Sequence, residues 1–102
     1  LGVDGIDMVQ FGGGDYSMSI GKAGPVRDPA VTEAEHHVIK TALSMGIQPR
    51  AETGSPDDTK RYLDMGVRHF CMGTDMGILF NLWEDYGVSL KAEIDDVLDE
   101  LG

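Results

Sequence analysis

The sequence has little cysteine, little positive charge and no long apolar run. Its single cysteine, Cys71, excludes an internal disulfide and lies in the apolar run HFCMG, which predicts a reduced buried thiol and a cytoplasmic location. Eight Lys and Arg against eighteen Asp and Glu give a formal charge of −10. A surface of this sign repels phosphate backbones and anionic lipid, so no nucleic acid or membrane partner is expected. No run approaches the roughly 20 apolar residues of a membrane span.

The composition that remains is that of a globular protein, because 41% of the residues are hydrophobic and 25% are charged. The 102 residues suffice for one small domain but not for two independent cores. The chain starts at Leu1, and its first segment, LGVDGIDMVQFG, has the pattern of the middle of a structural unit. We therefore expect residues 1–102 to be a single partial domain of a larger fold.

Helix signals occur at two places in the first two thirds of the chain. Thr32 and Glu35 have the spacing of a capping box, so a helix is expected to open at Thr32. Ser55 and Pro56 have the order of an N-cap and a first helical residue, and Gly66 is expected to end the helix that follows. Two more helices are predicted over residues 76–86 and 89–101, separated at Gly87. Residues 15–29 are predicted to form a long loop.

Three short runs predict strands, because they are extended in character and too short for a helix. They are residues 6–11, 47–53 and 67–72. Strands that alternate with helices indicate an α/β fold with parallel strands. A parallel sheet of three strands is poorly covered alone, whereas a (β/α)8 barrel takes about 250 residues, so three of its units would use about 94. The fold predicted is three βα units of such a TIM barrel, plus a terminal helix.

Candidate site residues lie where the predicted strands end. Asp15 follows MVQFGGG and Asp75 follows HFCMGT, and ligands of parallel sheets bind at that end. Three glycines before Asp15 let the backbone approach a ligand and direct amides at an anion, and its carboxylate suits a hard cation. Asp75 is interpreted as the N-cap of the next helix. Glu52 either faces the same mouth or is an exposed loop acid.

Simpler interpretations exist for several of these features. The glycine run is also typical of a tight turn leaving a strand, and it fails as a dinucleotide fingerprint because no third glycine follows at the required spacing. His36 and His37 point about 100° apart on a helix and cannot share one metal ion. His69 is interpreted as a packed polar residue.

The segments VDGIDMVQFGGGDYSMSIG and TKRYLDMGVRHFCMGTDMGIL resemble the metal-dependent class II pyruvate aldolases of the HpcH/HpaI type, including dihydroxyheptenedioate aldolase. The resemblance extends over nearly the whole chain. It implies that residues 1–102 form strand six through the final helix of a (β/α)8 barrel, the C-terminal part of the enzyme. The family is a group of carbon–carbon lyases that cleave a 4-hydroxy-2-oxo acid to pyruvate and an aldehyde.

The same resemblance implies roles for three residues. The family holds a divalent ion, Mg, Mn or Co, that stabilises the enolate of pyruvate as a Lewis acid, and one of its carboxylate ligands falls on Asp15. The backbone amide that helps to hold the pyruvate carboxylate falls on Gly14. Glu52 stands where relatives often carry an apolar residue that lines the site. Gly13 replaces the usual Pro, and Tyr16 replaces the usual Leu.

The other parts of that chemistry, a metal-binding Glu, an Arg and a His, belong to strands upstream of Leu1. We therefore expect the 102-residue chain to be inactive by itself, and the whole enzyme to be a homo-oligomer, a hexamer in the resembling family. Two alternatives stay open. One is a citrate or malyl thioester lyase, which needs a coenzyme A site. The other is a stand-alone α/β module that binds a small anion at the glycine loop.

Overall fold

Three parallel strands and four helices make up the described part of the chain, residues 1–24 and 27–102 of the computed structural model. The strands are β1 (Met8–Gln10), β2 (Gln48–Glu52) and β3 (His69–Cys71). The helices are α1 (Gly13–Ser19), α2 (Pro29–Ser44), α3 (Pro56–Met65) and α4 (Asp75–Leu101). The sheet order is β1-β2-β3 and both pairs are parallel. The predicted α/β class with parallel strands is confirmed, although each strand is shorter than predicted.

The chain divides into two compact units, Leu1–Met72 and Gly73–Gly102. In the first unit, side chains of α2, α3 and one face of the sheet form the hydrophobic core, which is centred on Ile39, Ala51, Tyr62 and Val67. Successive residues of β2 alternate between buried and exposed, as the period of two in a strand requires. Glu52 therefore lies on the sheet face opposite the core.

The start of α2 differs from the prediction. Asp28 is the N-cap, and its Oδ1 accepts a hydrogen bond from the Ala30 amide at 2.9 Å, so the helix opens at Pro29. The predicted capping box of Thr32 and Glu35 is wrong, because Pro29 at the first helical position starts the helix three residues earlier. Glu35 then falls on the buried face and is free to contact other elements.

Helix α3 agrees with its prediction at both ends. The Ser55 side chain accepts a hydrogen bond from the Asp58 amide at 3.3 Å, and Pro56 occupies the first helical position. Gly66 ends the helix with φ +100°, a left-handed conformation that favours glycine.

The prediction of a long loop after the first strand is wrong in part. The long loop predicted over residues 15–29 begins with α1, because the glycine-rich segment continues into a helix at Gly13. Pro25 and Val26, which that prediction includes, lie outside the described residues.

Helix α4 is one helix of 27 residues that runs through Gly87. A single glycine costs about 1 kcal/mol in a helix, which does not break one of this length. Its N-cap is Thr74, whose Oγ1 accepts from the Gly77 amide at 3.1 Å, and Asp75 is the first helical residue rather than the cap. Of the helices described, none is both long enough and apolar enough to span a bilayer.

Candidate functional site

A cleft of about 690 Å³ lies in the first unit, at the carboxyl ends of β1 and β2. Its walls include the end of β1, the glycine-rich loop, the start of α2 and the end of β2. The three residues assigned to the site from sequence all line it: Gly14, Asp15 and Glu52. They come together because the carboxyl ends of parallel strands open on the same edge of a sheet.

The glycine-rich loop brings two charged groups close to the backbone. A Cβ on Gly12 would lie 3.3 Å from Asp15 Oδ2, and a Cβ on Gly13 would lie 3.2 Å from Arg27 Nη2. Both distances are tighter than ordinary contacts. A Cβ on Gly14 would meet no atom within 4 Å. The first two glycines therefore admit the carboxylate and the guanidinium, and the third leaves open space in the cleft.

Asp15 lies in the first turn of α1 with its side chain exposed. Tyr16 beside it packs on Phe11, with ring centroids 5.3 Å apart, and this contact joins the two ends of the glycine run. Glu52 is also exposed. Within residues 1–24 and 27–102, no Lys, Arg or His pairs with Asp15 or Glu52. Both carboxylates are therefore available to a ligand.

The donor set suits part of a divalent-metal site. Asp15 offers a hard oxygen ligand of the kind that Mg²⁺ and Mn²⁺ prefer. In the part of the chain that the structure describes, no group of three or more His, Cys, Asp or Glu side chains is placed to hold a metal ion. Asp15 therefore fits one ligand position, and the other ligands have to be waters, substrate oxygens or residues outside this chain. His36, His37 and His69 do not line the cleft.

Sequence reasoning missed a cluster of charged and polar side chains on one wall of the cleft. Glu35 is 6% exposed, and its Oε1 accepts a hydrogen bond from the Tyr62 hydroxyl at 2.9 Å. Its Oε2 lies 3.0 Å from Arg27 Nη2. That contact is an ion pair by distance but is not aligned as a hydrogen bond, so Oε2 has no hydrogen-bond donor among the described residues. The available signal was a charged residue at position 35, between Val31 and Ile39 on the buried stripe of α2.

Tyr62 links this cluster to α3. Its oxygen accepts a hydrogen bond from Arg61 Nη2 at 3.0 Å, and the Arg61 guanidinium lies 4.6 Å from the centre of its ring. Burial raises the pKa of the Tyr62 hydroxyl, and the hydrogen bond to Glu35 and the charge of Glu35 raise it further. Tyr62 therefore stays protonated at neutral pH and serves as the donor to Glu35.

The second cation of the cleft is already paired. Lys22 Nζ lies 3.2 Å from Asp28 Oδ1. The pKa of Asp28 is lowered by the hydrogen bond from the Ala30 amide and by Lys22. Asp28 is thus ionised at neutral pH, caps α2 and holds Lys22 at the rim.

Comparison with known proteins finds relatives among aldolases. The chain is 30% identical to the hydroxypyruvate/pyruvate aldolase of Cupriavidus necator over 92% of its own length. It is 35% identical to the 4-hydroxy-2-oxo-heptane-1,7-dioate aldolase of Salmonella arizonae over 91% of its length. A solved structure of an HpcH/HpaI aldolase/citrate lyase family protein from Burkholderia cenocepacia matches 86% of the chain with a TM-score of 0.73 at 22% identity, which shows the same fold.

The chain resembles the HpcH/HpaI aldolase/citrate lyase family in sequence and in fold. The resemblance seen in the two sequence motifs is thereby confirmed, although no family profile matches the chain. The structure of the citrate synthase SbnG also matches 91% of the chain, with a TM-score of 0.83 at 27% identity. The chain spans about a third of the length of the two curated aldolases, 35% of each.

Proposed function

We propose that the chain forms strand six through the final helix of a (β/α)8 aldolase barrel. The whole enzyme would be a carbon–carbon lyase that cleaves a 4-hydroxy-2-oxo acid to pyruvate and an aldehyde. The observation that carries this proposal is the cleft at the strand ends, where Gly14, Asp15 and Glu52 lie together in a chain that resembles the aldolase family. The names of the two relatives, both aldolases, support the reaction class.

Each of the three residues has a role that its position permits. Asp15 would be one carboxylate ligand of a divalent ion, Mg²⁺, Mn²⁺ or Co²⁺. When bound, the ion supplies Lewis-acid stabilisation of negative charge on the oxo acid. Gly14 lies in the first turn of α1, where backbone amides have no intrahelical acceptor, so its N–H is free to donate to the pyruvate carboxylate. Glu52 lines the same cleft and would contact the aldehyde portion.

The test uses the full-length protein that contains this chain and measures pyruvate released from 4-hydroxy-2-oxo-heptane-1,7-dioate and from 4-hydroxy-2-oxopentanoate. We expect Mg²⁺- or Mn²⁺-dependent release that EDTA abolishes. Asp15→Asn removes the ligand charge with little change of shape, so release should fall by at least about 100-fold. Glu33→Gln is the control, because Glu33 is an exposed acid of α2 outside the cleft.

The two ways of failing are distinct. Undiminished release by Asp15→Asn would refute the site assignment. No release by the unchanged protein from either substrate would refute the reaction class.

A second candidate is citrate formation, which the similarity to the SbnG structure favours. In that case the full-length protein would form citrate when supplied with oxaloacetate and acetyl-coenzyme A. Detecting citrate but no pyruvate release would favour this candidate over the aldolase.

A further inference from the structure

Arg27 lies at the junction of the glycine-rich loop and the buried acid of α2. Its side chain is 37% exposed and lines the cleft. Nη2 is 3.0 Å from Glu35 Oε2 and 3.2 Å from the position that a Cβ on Gly13 would occupy. The guanidinium is therefore held beside the loop that carries Asp15, and the lack of a side chain at Gly13 makes room for it.

Glu35, the carboxylate beside Arg27, is held in place by the core and by Tyr62. Glu35 cannot turn toward solvent without leaving the core, and the Tyr62 hydroxyl holds its other oxygen at 2.9 Å. Tyr62 is itself 2% exposed and receives a hydrogen bond from Arg61. The fixed carboxylate of Glu35 favours a position of the guanidinium at the cleft, so part of the ordering that ligand binding requires is already present.

Arg27 keeps donors for a ligand. A guanidinium carries five N–H donors. Arg27 contacts Glu35 through one nitrogen that is not aligned as a hydrogen bond, and its side chain also interacts with the Tyr62 hydroxyl, so other donors still face the cleft. Lys22, by contrast, is paired with Asp28 at the rim. The planar fork of Arg27 matches a carboxylate. A dianionic phosphate suits the cleft less well, because four carboxylates also line it: Asp15, Asp28, Glu35 and Glu52.

We propose that Arg27 determines substrate specificity by binding a second carboxylate of the oxo acid, one that remains on the aldehyde product. This inference rests on the proposed function, in which Asp15 and Gly14 serve the pyruvate end. A second anionic group is then the ligand left for Arg27. The preferred substrates are oxo diacids, and the aldehyde product is itself an acid.

The test compares two aldehydes of four carbons in the condensation direction with the full-length protein, pyruvate and Mg²⁺. One is succinic semialdehyde, which carries a carboxylate, and the other is butanal, which does not. Arg27→Gln should lower kcat/KM for succinic semialdehyde by about 10- to 100-fold, the usual effect of losing a charged hydrogen bond. The value for butanal should change by less than about 3-fold. Arg27→Lys should retain part of the preference.

Lys22→Gln is the matched control, because it removes the other cation of the same cleft. Its effect should be small and similar for both aldehydes. Equal losses for both aldehydes in Arg27→Gln would overturn the proposal, as would an equally selective loss in Lys22→Gln. If Arg27→Gln does not fold, Arg27→Lys is measured instead, because it keeps the charge beside Glu35 but loses the planar fork. Its preference for succinic semialdehyde over butanal should then be reduced in part, and an unchanged preference would overturn the proposal.

If the unchanged protein condenses neither aldehyde, the proposed function has failed and the carboxylate site is tested by binding. Titration calorimetry would then compare butanoate with 1-butanol. Butanoate binding that Arg27→Gln weakens and Lys22→Gln does not would support the site. Equal butanoate affinity in all three proteins would overturn it.

Discussion

Glu35 carries a charge on the buried face of α2, where burial is costly unless partners offset it. Its partners come from two directions: the Tyr62 hydroxyl of α3 and the Arg27 guanidinium at the cleft. Because Arg27 is partly exposed, solvent weakens its attraction to Glu35. The buried hydrogen bond from Tyr62 is therefore expected to matter more for stability than the ion pair.

Tyr62→Phe tests this expectation. The substitution removes the donor and leaves Glu35 Oε1 buried without it, which should lower the free energy of unfolding by about 1–3 kcal/mol. Tyr86→Phe is the control, because Tyr86 is 67% exposed and its hydroxyl should contribute less than about 0.5 kcal/mol. Urea denaturation followed by circular dichroism measures both. Equal changes in the two variants would show that the buried hydrogen bond contributes nothing specific.

The raised pKa of Tyr62 predicts that the stability of the fold falls at alkaline pH. The pKa of Tyr62 is raised in the folded chain, so above about pH 10 an unfolded tyrosine loses its proton while the folded one keeps it. This contribution is fully present below pH 10 and is lost as the pH rises through the raised value. The urea midpoint of the unchanged protein should fall more steeply above pH 10 than that of Tyr62→Phe. Parallel curves would contradict this assignment.

Among the elements, α4 is continuous at a residue that usually interrupts helices. A Cβ on Gly87 would meet no atom within 4 Å, so Gly87→Ala should raise the free energy of unfolding by about 0.5–1 kcal/mol. Gly87→Pro should lower it by about 3 kcal/mol, because the ring removes a helical hydrogen bond. Thermal denaturation and helical circular dichroism measure both. If helix content and stability were unchanged in Gly87→Pro, Gly87 would separate two helices instead.

The helices also show which structural features can be predicted from neighbouring residues in the sequence. Helix α3 was predicted at both ends because Ser55, Pro56 and Gly66 act on their immediate neighbours. The start of α2 was not, because Asp28 and Thr32 are both acceptable caps and Pro29 decides between them. Helix α1 was missed because three glycines weigh against a helix in any local reading.

The residues of the candidate site likewise divide into those that the sequence could predict and those that it could not. Asp15 could be placed at the mouth from the sequence, because parallel strands bring their carboxyl ends together, and Glu52 was one of two possibilities there. Gly14 followed from the family resemblance. Arg27 and Tyr62 could not. The hydrogen bond from Tyr62 to Glu35 joins residues 27 positions apart and depends on how α2 packs against α3.

At the scale of the whole molecule, the sheet has a polar open face. Gln10, Arg50 and His69 occupy one register row across β1, β2 and β3, and Arg50 Nε donates to Gln10 Oε1 at 2.6 Å. Within the described residues β1 and β3 each pair on one side only. Such a face and such edges fit three neighbouring strands of a larger barrel.

The isolated 102-residue chain is accordingly expected to show no metal-dependent pyruvate release. Asp15 and Glu52 are the exposed carboxylates that line the cleft, and among the described residues they do not complete a divalent-metal site. The measurement is the cleavage assay on the purified chain beside the full-length protein. Turnover by the chain alone would contradict the proposed division of the site between this chain and other parts of the enzyme.

The most direct measurement is proton exchange at the methyl group of pyruvate, because it needs no knowledge of the aldehyde. The full-length protein would be incubated with pyruvate in D₂O, with and without Mg²⁺, and the methyl signal followed by NMR. We predict Mg²⁺-dependent exchange that Asp15→Asn slows by at least about 100-fold and Glu33→Gln leaves unchanged. Exchange by Asp15→Asn at the rate of the unchanged protein would contradict the assignment of Asp15 as a metal ligand.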